Sequence, residues 1–238
     1  MIAPVWCIEL AALFWKKVGS PPPFPRDLRH AVTAVSLSVV EMTDVSVANV
    51  RRWFEQIAIC VPLDEPDRPL RACLVAWRGE GFAFLDSRDD PAERAFSLAH
   101  ELGHFLRDHL RPRETVAARL GKAALQVLDG QRAATPVERL HAVLRNVPLG
   151  PFTHLLRRDD SGCPLTPTER DAEAAADRLA FELLAPAEAV GDADGRKELT
   201  ERLIRMFGLP PESAARYATI LVPESPPIDR AISRLIKR

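Results

Sequence analysis

The chain has 238 residues, 47% of them hydrophobic, and a formal net charge of −1. That length fits one large domain, or one domain with extensions, and the apolar content is ample for a packed core. A near-neutral balance supplies no global field to draw in nucleic acid or an anionic membrane, so direct nucleic-acid binding is not expected.

Ala3 to Val18 reads as a helix. Its apolar run, Ile2 to Trp15, is interrupted by Glu9 and followed by Lys16 and Lys17. That is the wrong charge order for a signal peptide, and the run is too short to span a bilayer. It is expected to dock on the core, with no membrane role. Gly19 to Pro25 is a proline-rich break, and Arg26 to Val35 a short helix. Ser36 to Met42 has the composition of a strand. Val45 to Ile59 repeats with a helical period at Val47, Val50, Phe54 and Ile57. After a Pro- and Asp-rich loop, Ala72 to Trp77 and Phe82 to Leu85 are two apolar strands, and Arg78-Gly79-Glu80-Gly81 supplies a hairpin turn.

The next element carries the chemistry. Asp90 caps a helix, Pro91 occupies its first position, and Glu93 is placed to close a capping box. Phe96, Leu98, Ala99, Leu102, Phe105 and Leu106 mark a buried face. Within it lies His100-Glu101-Leu102-Gly103-His104, an H-E-x-x-H motif. Residues four apart share a helix face, so His100 and His104 can offer two imidazole nitrogens to one metal ion. Glu101 lies roughly 100° around the axis, which puts its carboxylate beside the ion and not on it. Zinc held by two His and one carboxylate keeps a position open for water, and the adjacent Glu can take that water's proton. Gly103, a poor helix former, implies that another backbone or the metal region passes close by.

Residues 112–165 read as a polar, mostly helical insertion, with a second capping box at Thr135–Glu138 and a loop over Asn146–Gly162. It could be a lid, a docking surface or inert. A third helix start follows at Thr166, Pro167 and Glu169. Its Glu173 is the candidate third metal ligand, with Glu169 the alternative. Asp177, four residues on, can orient a ligand histidine from behind. Ala172, Ala174, Ala175 and Ala176 would let this helix pack close to the first.

At the tail, Glu198–Phe207 and Glu212–Leu221 read as two helices around Gly208-Leu209-Pro210-Pro211. Nine basic residues stand against five acidic ones from Arg196 onward, but the second helix offers only Arg216, so a packing pair is expected over a DNA reader. Ile228–Arg238 is a short amphipathic helix with a basic face. Cys7, Cys60, Cys73 and Cys163 show no C-x-x-C pairing and read as free thiols in a reducing cytoplasm. His109, His141, His154 and Tyr217 are loose candidates for stabilising an oxyanion.

The stretch from Phe96 to Leu106 resembles the active helix of the ImmA/IrrE metallo-endopeptidases. Glu173 to Pro186 is similar to that family's second block, and Ala72 to Leu85 to its hairpin. The resemblance covers about residues 36–221. It implies that His100, His104 and Glu173 bind Zn2+ and that Glu101 is the catalytic base. It further implies a cytoplasmic peptidase whose protein substrate is a helix-turn-helix transcriptional repressor, cut to switch on a mobile element or a stress response.

The expected fold is therefore α+β: mainly helical, with a small antiparallel sheet whose hairpin packs on the H-E-x-x-H helix. The expected domains are a helical extension at 1–35, a zinc metallopeptidase domain at 36–190 containing the 112–165 insertion, and a helical segment at 191–238. A non-catalytic, zinc-stabilised regulator that binds a repressor or DNA is the alternative function. Oligomeric state is not legible.

Overall fold

The computed structural model describes residues 3–223 apart from 60, 62, 64, 145–165 and 194. Helix α1 (Val5–Val18) and a 3-10 turn (Ala31–Val35) precede β1 (Leu37–Met42), α2 (Val47–Gln56), β2 (Ala72–Trp77), β3 (Glu80–Asp86) and α3 (Pro91–His104). The chain continues from α3 through a π-helical stretch, Phe105–Leu110, into α4 (Arg111–Leu120). Then come α5 (Leu125–Leu128), α6 (Pro136–Leu144), α7 (Pro167–Leu184), α8 (Ala187–Val190), α9 (Arg196–Phe207) and α10 (Pro211–Leu221). The tail pair is thus helical as expected. Cys60, Cys163, His154, the loop 146–162 and the helix expected at Ile228–Arg238 lie outside the described residues.

The fold is α+β, but the sheet is mixed where an antiparallel one was expected. Its order is β1-β3-β2, with β2 antiparallel to β3 and β1 parallel to β3 from Leu37 opposite Gly81 to Met42 opposite Asp86. A tight turn dictates the antiparallel pair, whereas the parallel pair depends on α2 and its following loop returning the chain. Strand composition encodes the first and not the second. The hairpin turn is also tighter than the four residues expected, because Trp77 pairs directly with Glu80. Arg78 and Gly79 both take positive φ, 55° and 91°, as a two-residue turn matched to strand twist requires.

Both faces of the sheet are covered, which is why β2 and β3 read as continuous apolar runs. Alternate residues point to opposite sides. Cys73, Val75 and Phe84 face α2, packing with Val50 and Phe54. Leu74, Ala76, Ala83 and Leu85 face the larger core, with Leu98 and Leu102 of α3, Leu179 and Leu183 of α7, and Phe14 of α1. Leu203 of α9 and Ala214 of α10 join the same core. A Cβ on Gly81 would come within 2.7 Å of both Leu37 and Phe105, so a side chain there would push the hairpin off the helix that carries the H-E-x-x-H motif. Cys7 and Cys73 are free and buried, and burial pushes both thiols up, Cys7 to about 12, so neither is a nucleophile at neutral pH.

Candidate metal centre

Two helix starts place the site. At α3, the Asp90 carboxylate accepts the Ala92 N–H at 2.9 Å and Pro91 takes the first turn. Glu93 does not close a capping box there; it faces Arg71 at 3.9 Å. At α7 the box is complete: Thr166 Oγ1 accepts the Glu169 N–H at 3.2 Å, and the Glu169 carboxylate accepts the Thr166 N–H at 2.7 Å. Glu169, the alternative ligand, is thereby engaged at the helix start.

The two helices touch backbone to backbone. A Cβ on Gly103 would lie 3.1 Å from the Ala176 carbonyl oxygen and 3.2 Å from its Cα. This is the close approach that a glycine inside a helix implied. It brings one face of α7 against the motif.

At that contact His100, His104 and Glu173 converge, each offering one ligand atom within 4.8 Å of the others. The Nε2 atoms of the two histidines are 3.1 Å apart. Glu173 Oε2 lies 3.6 Å from His100 Nε2, and its Oε1 lies 3.4 Å from His104 Nε2. Each histidine is held from behind. His100 Nδ1 is 2.9 Å from Asp177 Oδ1, and His104 Nδ1 is 3.0 Å from Asp108 Oδ2. Arg107 in turn donates to Asp108 at 2.8 Å.

These contacts test the fit of a metal. An ionised carboxylate only accepts, so each Nδ1 carries a proton, which leaves each Nε2 free to offer a lone pair to a metal ion. Two such nitrogens at this distance call for positive charge between them, a metal ion or a proton. Two ligand atoms on a tetrahedral zinc with bonds of about 2.0–2.1 Å would sit about 3.3 Å apart. The Nε2 atoms at 3.1 Å are close to that value, and each imidazole has one Glu173 oxygen near it, at 3.4 or 3.6 Å. The electrostatics agree. Burial by itself would lower His100, yet its hydrogen bonds to Asp177 and Glu173 and the charge of Glu101 raise its pKa to about 10. His104 is raised in the same way by Asp108 and Glu173 against burial. The pocket is built to hold positive charge.

A cleft of about 490 Å³ opens onto this cluster. His100, Glu101, Glu173 and Asp177 line it, while His104 is closed off at 2% exposure. Glu101 is itself 8% exposed. Arg68–Ala72, the segment leading into β2, an edge strand of the sheet, also lines the cleft. Glu93, Phe96 and Ser97 of α3 and Glu212, Ser213 and Arg216 of α10 line it too.

The loose oxyanion candidates among the described residues do not line the cleft. His109 is buried, accepts the Gly79 N–H at Nε2 over 3.0 Å, and stacks on Phe105, which ties the hairpin turn to the π-helical stretch. His141 is exposed on α6. Tyr217 stacks on Phe181 at 4.3 Å, and burial raises its pKa. Sequence reasoning missed Asp108 and the cleft-facing role of Arg216. Asp108 was within reach: it stands four residues after His104, the spacing that paired the two histidines.

An H-E-x-x-H helix joined by an acid-bearing second helix is an arrangement that suggests a metallopeptidase. More particularly, residues 74–127 match the family model of Peptidase_M78, the IrrE N-terminal-like domain. The match supports the resemblance to the ImmA/IrrE metallopeptidases. It carries a metal ion and a protein substrate as the coarse expectation. The matched stretch includes His100, Glu101, His104 and Asp108, while Glu173, Asp177 and Arg216 lie beyond it. No curated protein and no solved structure matches the chain. Among the described residues no helix is long and apolar enough to cross a membrane.

Proposed function

We propose that the chain is a zinc-dependent endopeptidase that cuts a peptide bond in a cytoplasmic protein substrate, a helix-turn-helix transcriptional repressor. The observation that carries this reading is the convergence of the His100 and His104 Nε2 atoms and the Glu173 carboxylate, with Glu101 beside them, at the floor of an open cleft. In this reading residues 36–190 are the catalytic domain, 1–35 a helical extension and 191–238 a helical segment.

His100, His104 and Glu173 would hold the ion, with Asp177 and Asp108 fixing the two imidazoles in the tautomer that presents Nε2. A bound ion would supply Lewis acidity. Glu101 is placed to take a proton from water at its carboxylate and to pass it to the leaving amine. Its burial beside the imidazoles keeps it aimed at the cleft. An extended peptide reaches it by adding to the edge of β2 through main-chain hydrogen bonds. The alternative, a purely structural zinc site, fills all four positions with protein ligands. Among the described residues the cluster supplies three, which favours the enzyme.

Two measurements test the reading. Metal analysis of purified protein should find one zinc per chain, and Glu173→Ala should lose most of it. Mass spectrometry of extracts with and without active protein should find new termini in a helix-turn-helix repressor. Full zinc retention in Glu173→Ala removes the third ligand, and the absence of any zinc-dependent cleavage removes the activity.

A further inference from the structure

One wall of the cleft takes no part in the chemistry above. Arg216 of α10 stands there with Ser213, one turn earlier on the same helix, and with Ser97, one turn before Glu101 on α3. Arg216 Nη1 donates to Asp177 Oδ2 at 2.9 Å, and the other oxygen of Asp177 holds His100. The guanidinium lies over the rings of Phe181 and Phe96, at 5.6 and 5.8 Å from their centroids. It is therefore steadied from two sides, while 49% of the side chain stays exposed at the cleft. A guanidinium has five donors, and the ion pair with Asp177 leaves most of them for a ligand. Ser213 is 6% exposed and Ser97 is half-buried, and both line the cleft. Among the described residues neither hydroxyl makes a hydrogen bond. Both hydroxyls are therefore open to an acceptor on a ligand that enters beside the guanidinium.

We propose that Arg216, Ser213 and Ser97 form a carboxylate-binding subsite, so that the peptide is recognised through an acidic group close to the bond presented to Glu101. The group is an Asp or Glu side chain or a chain-terminal carboxylate, since both offer the planar pair of oxygens that a guanidinium fork matches. Glu93 and Glu212 also line the cleft and disfavour an acid elsewhere in it. The recognised feature is thus the position of the acid along the peptide, not its overall charge. The inference rests on the peptidase reading for what enters the cleft, and it makes Arg216 a specificity residue contributed by the C-terminal helix pair.

The test is binding of short synthetic peptides to zinc-loaded Glu101→Gln protein. Members of each pair differ only by Asp against Asn, or Glu against Gln, at one position that is moved along the peptide. A further pair carries a free or an amidated C-terminus. One position, or the free terminus, should bind roughly ten- to hundredfold tighter than its neutral partner, the range of a charge-assisted hydrogen bond. Which pair discriminates tells the side chain from the terminus. Adding Arg216→Ala should bring the ratio towards one with zinc retained, and Arg216→Glu should shift preference to Lys at that position. Ser213→Ala, a smaller change, should lower the ratio several-fold. The proposal is overturned if no pair discriminates, if Arg216→Ala leaves the ratio as it was, or if discrimination disappears only together with zinc. In that last case Arg216 serves only to hold Asp177. Discrimination in a protein that hydrolyses nothing keeps the subsite and sinks the peptidase reading; zinc-dependent hydrolysis without discrimination does the reverse.

Discussion

Where α3 packs on α7, the helices meet through Gly103 and Ala176, and His100, His104, Asp108, Glu173 and Asp177 gather around the contact. On the far face of the sheet, Trp53, Phe54, Phe82 and Phe84 form an uncharged cluster with ring centroids 5.1 to 5.6 Å apart. The first region packs small residues tightly and buries charge, which costs stability unless every charge is partnered. The second buries large aromatic area, which stabilises. The chain thus separates a charged contact that fixes geometry from an aromatic layer that stabilises without carrying chemistry, with the sheet between them. If that division is real, substitutions in one layer should move activity and metal binding, and those in the other should move stability alone.

The largest effect is expected at Glu101. Glu101→Gln should retain zinc and lose about 10²–10⁴ in kcat, the usual worth of a general base. Unfolding midpoints should stay close to those of the unaltered protein. Undiminished kcat on a matched substrate would end the role assigned to Glu101. The counterpart in the other layer is Phe84, which is fully buried. Phe84→Ala should destabilise by about 3–5 kcal/mol, read as a lower urea midpoint, while the folded fraction keeps its zinc. Zinc loss from folded Phe84→Ala protein would show that the layers are coupled after all.

A smaller effect separates the ligands from the groups behind them. Asp177→Asn and Asp108→Asn should each weaken zinc about 10–100-fold in chelator competition, without abolishing it. Equal losses would mean that the two imidazoles are supported alike. A loss confined to Asp177→Asn would instead point to its second partner, Arg216.

The same division governs what the amino-acid sequence made legible. His100, Glu101 and His104 follow from one helical repeat, and Glu173 and Asp177 from another, because each set lies on a single element whose period is known. Gly103 announced a close neighbour but not that the neighbour was Ala176. The hairpin was visible because its strands and turn are contiguous, although its positive-φ pair, Arg78 and Gly79, was read as part of a longer turn. The parallel partner of β1 was not visible, since it depends on how α2 returns the chain. Nor was the convergence of Arg216 with Asp177, because they lie on helices joined by α8 and α9, and no local pattern encodes how α10 is brought back to the cleft. Glu93 shows the opposite failure: a sound local rule, the capping box, lost to a tertiary partner, Arg71.

The smallest predicted effect lies on the segment that joins the two layers. Asp86, the last residue of β3, accepts hydrogen bonds from the Arg88 backbone at 2.9 Å and from its guanidinium at 2.8 and 3.1 Å. The hydrogen bonds from the Arg88 side chain and backbone hold the Asp86 carboxyl down to about 2. A carboxyl depressed in the folded state contributes stability that is complete above its unfolded value of about 3.9 and is lost as pH falls through about 2. Arg88 is more than half exposed, so solvent screening keeps the contribution small. In urea titrations with chelator present, Asp86→Asn should therefore unfold earlier than the unaltered protein at pH 5, and the gap should narrow as pH drops towards 2. Because Asp86 leads directly to the start of α3 without touching the ligands, zinc affinity at neutral pH should stay within a few-fold. A large change in zinc affinity would mean that the β3–α3 link positions the metal helix as well as tethering it.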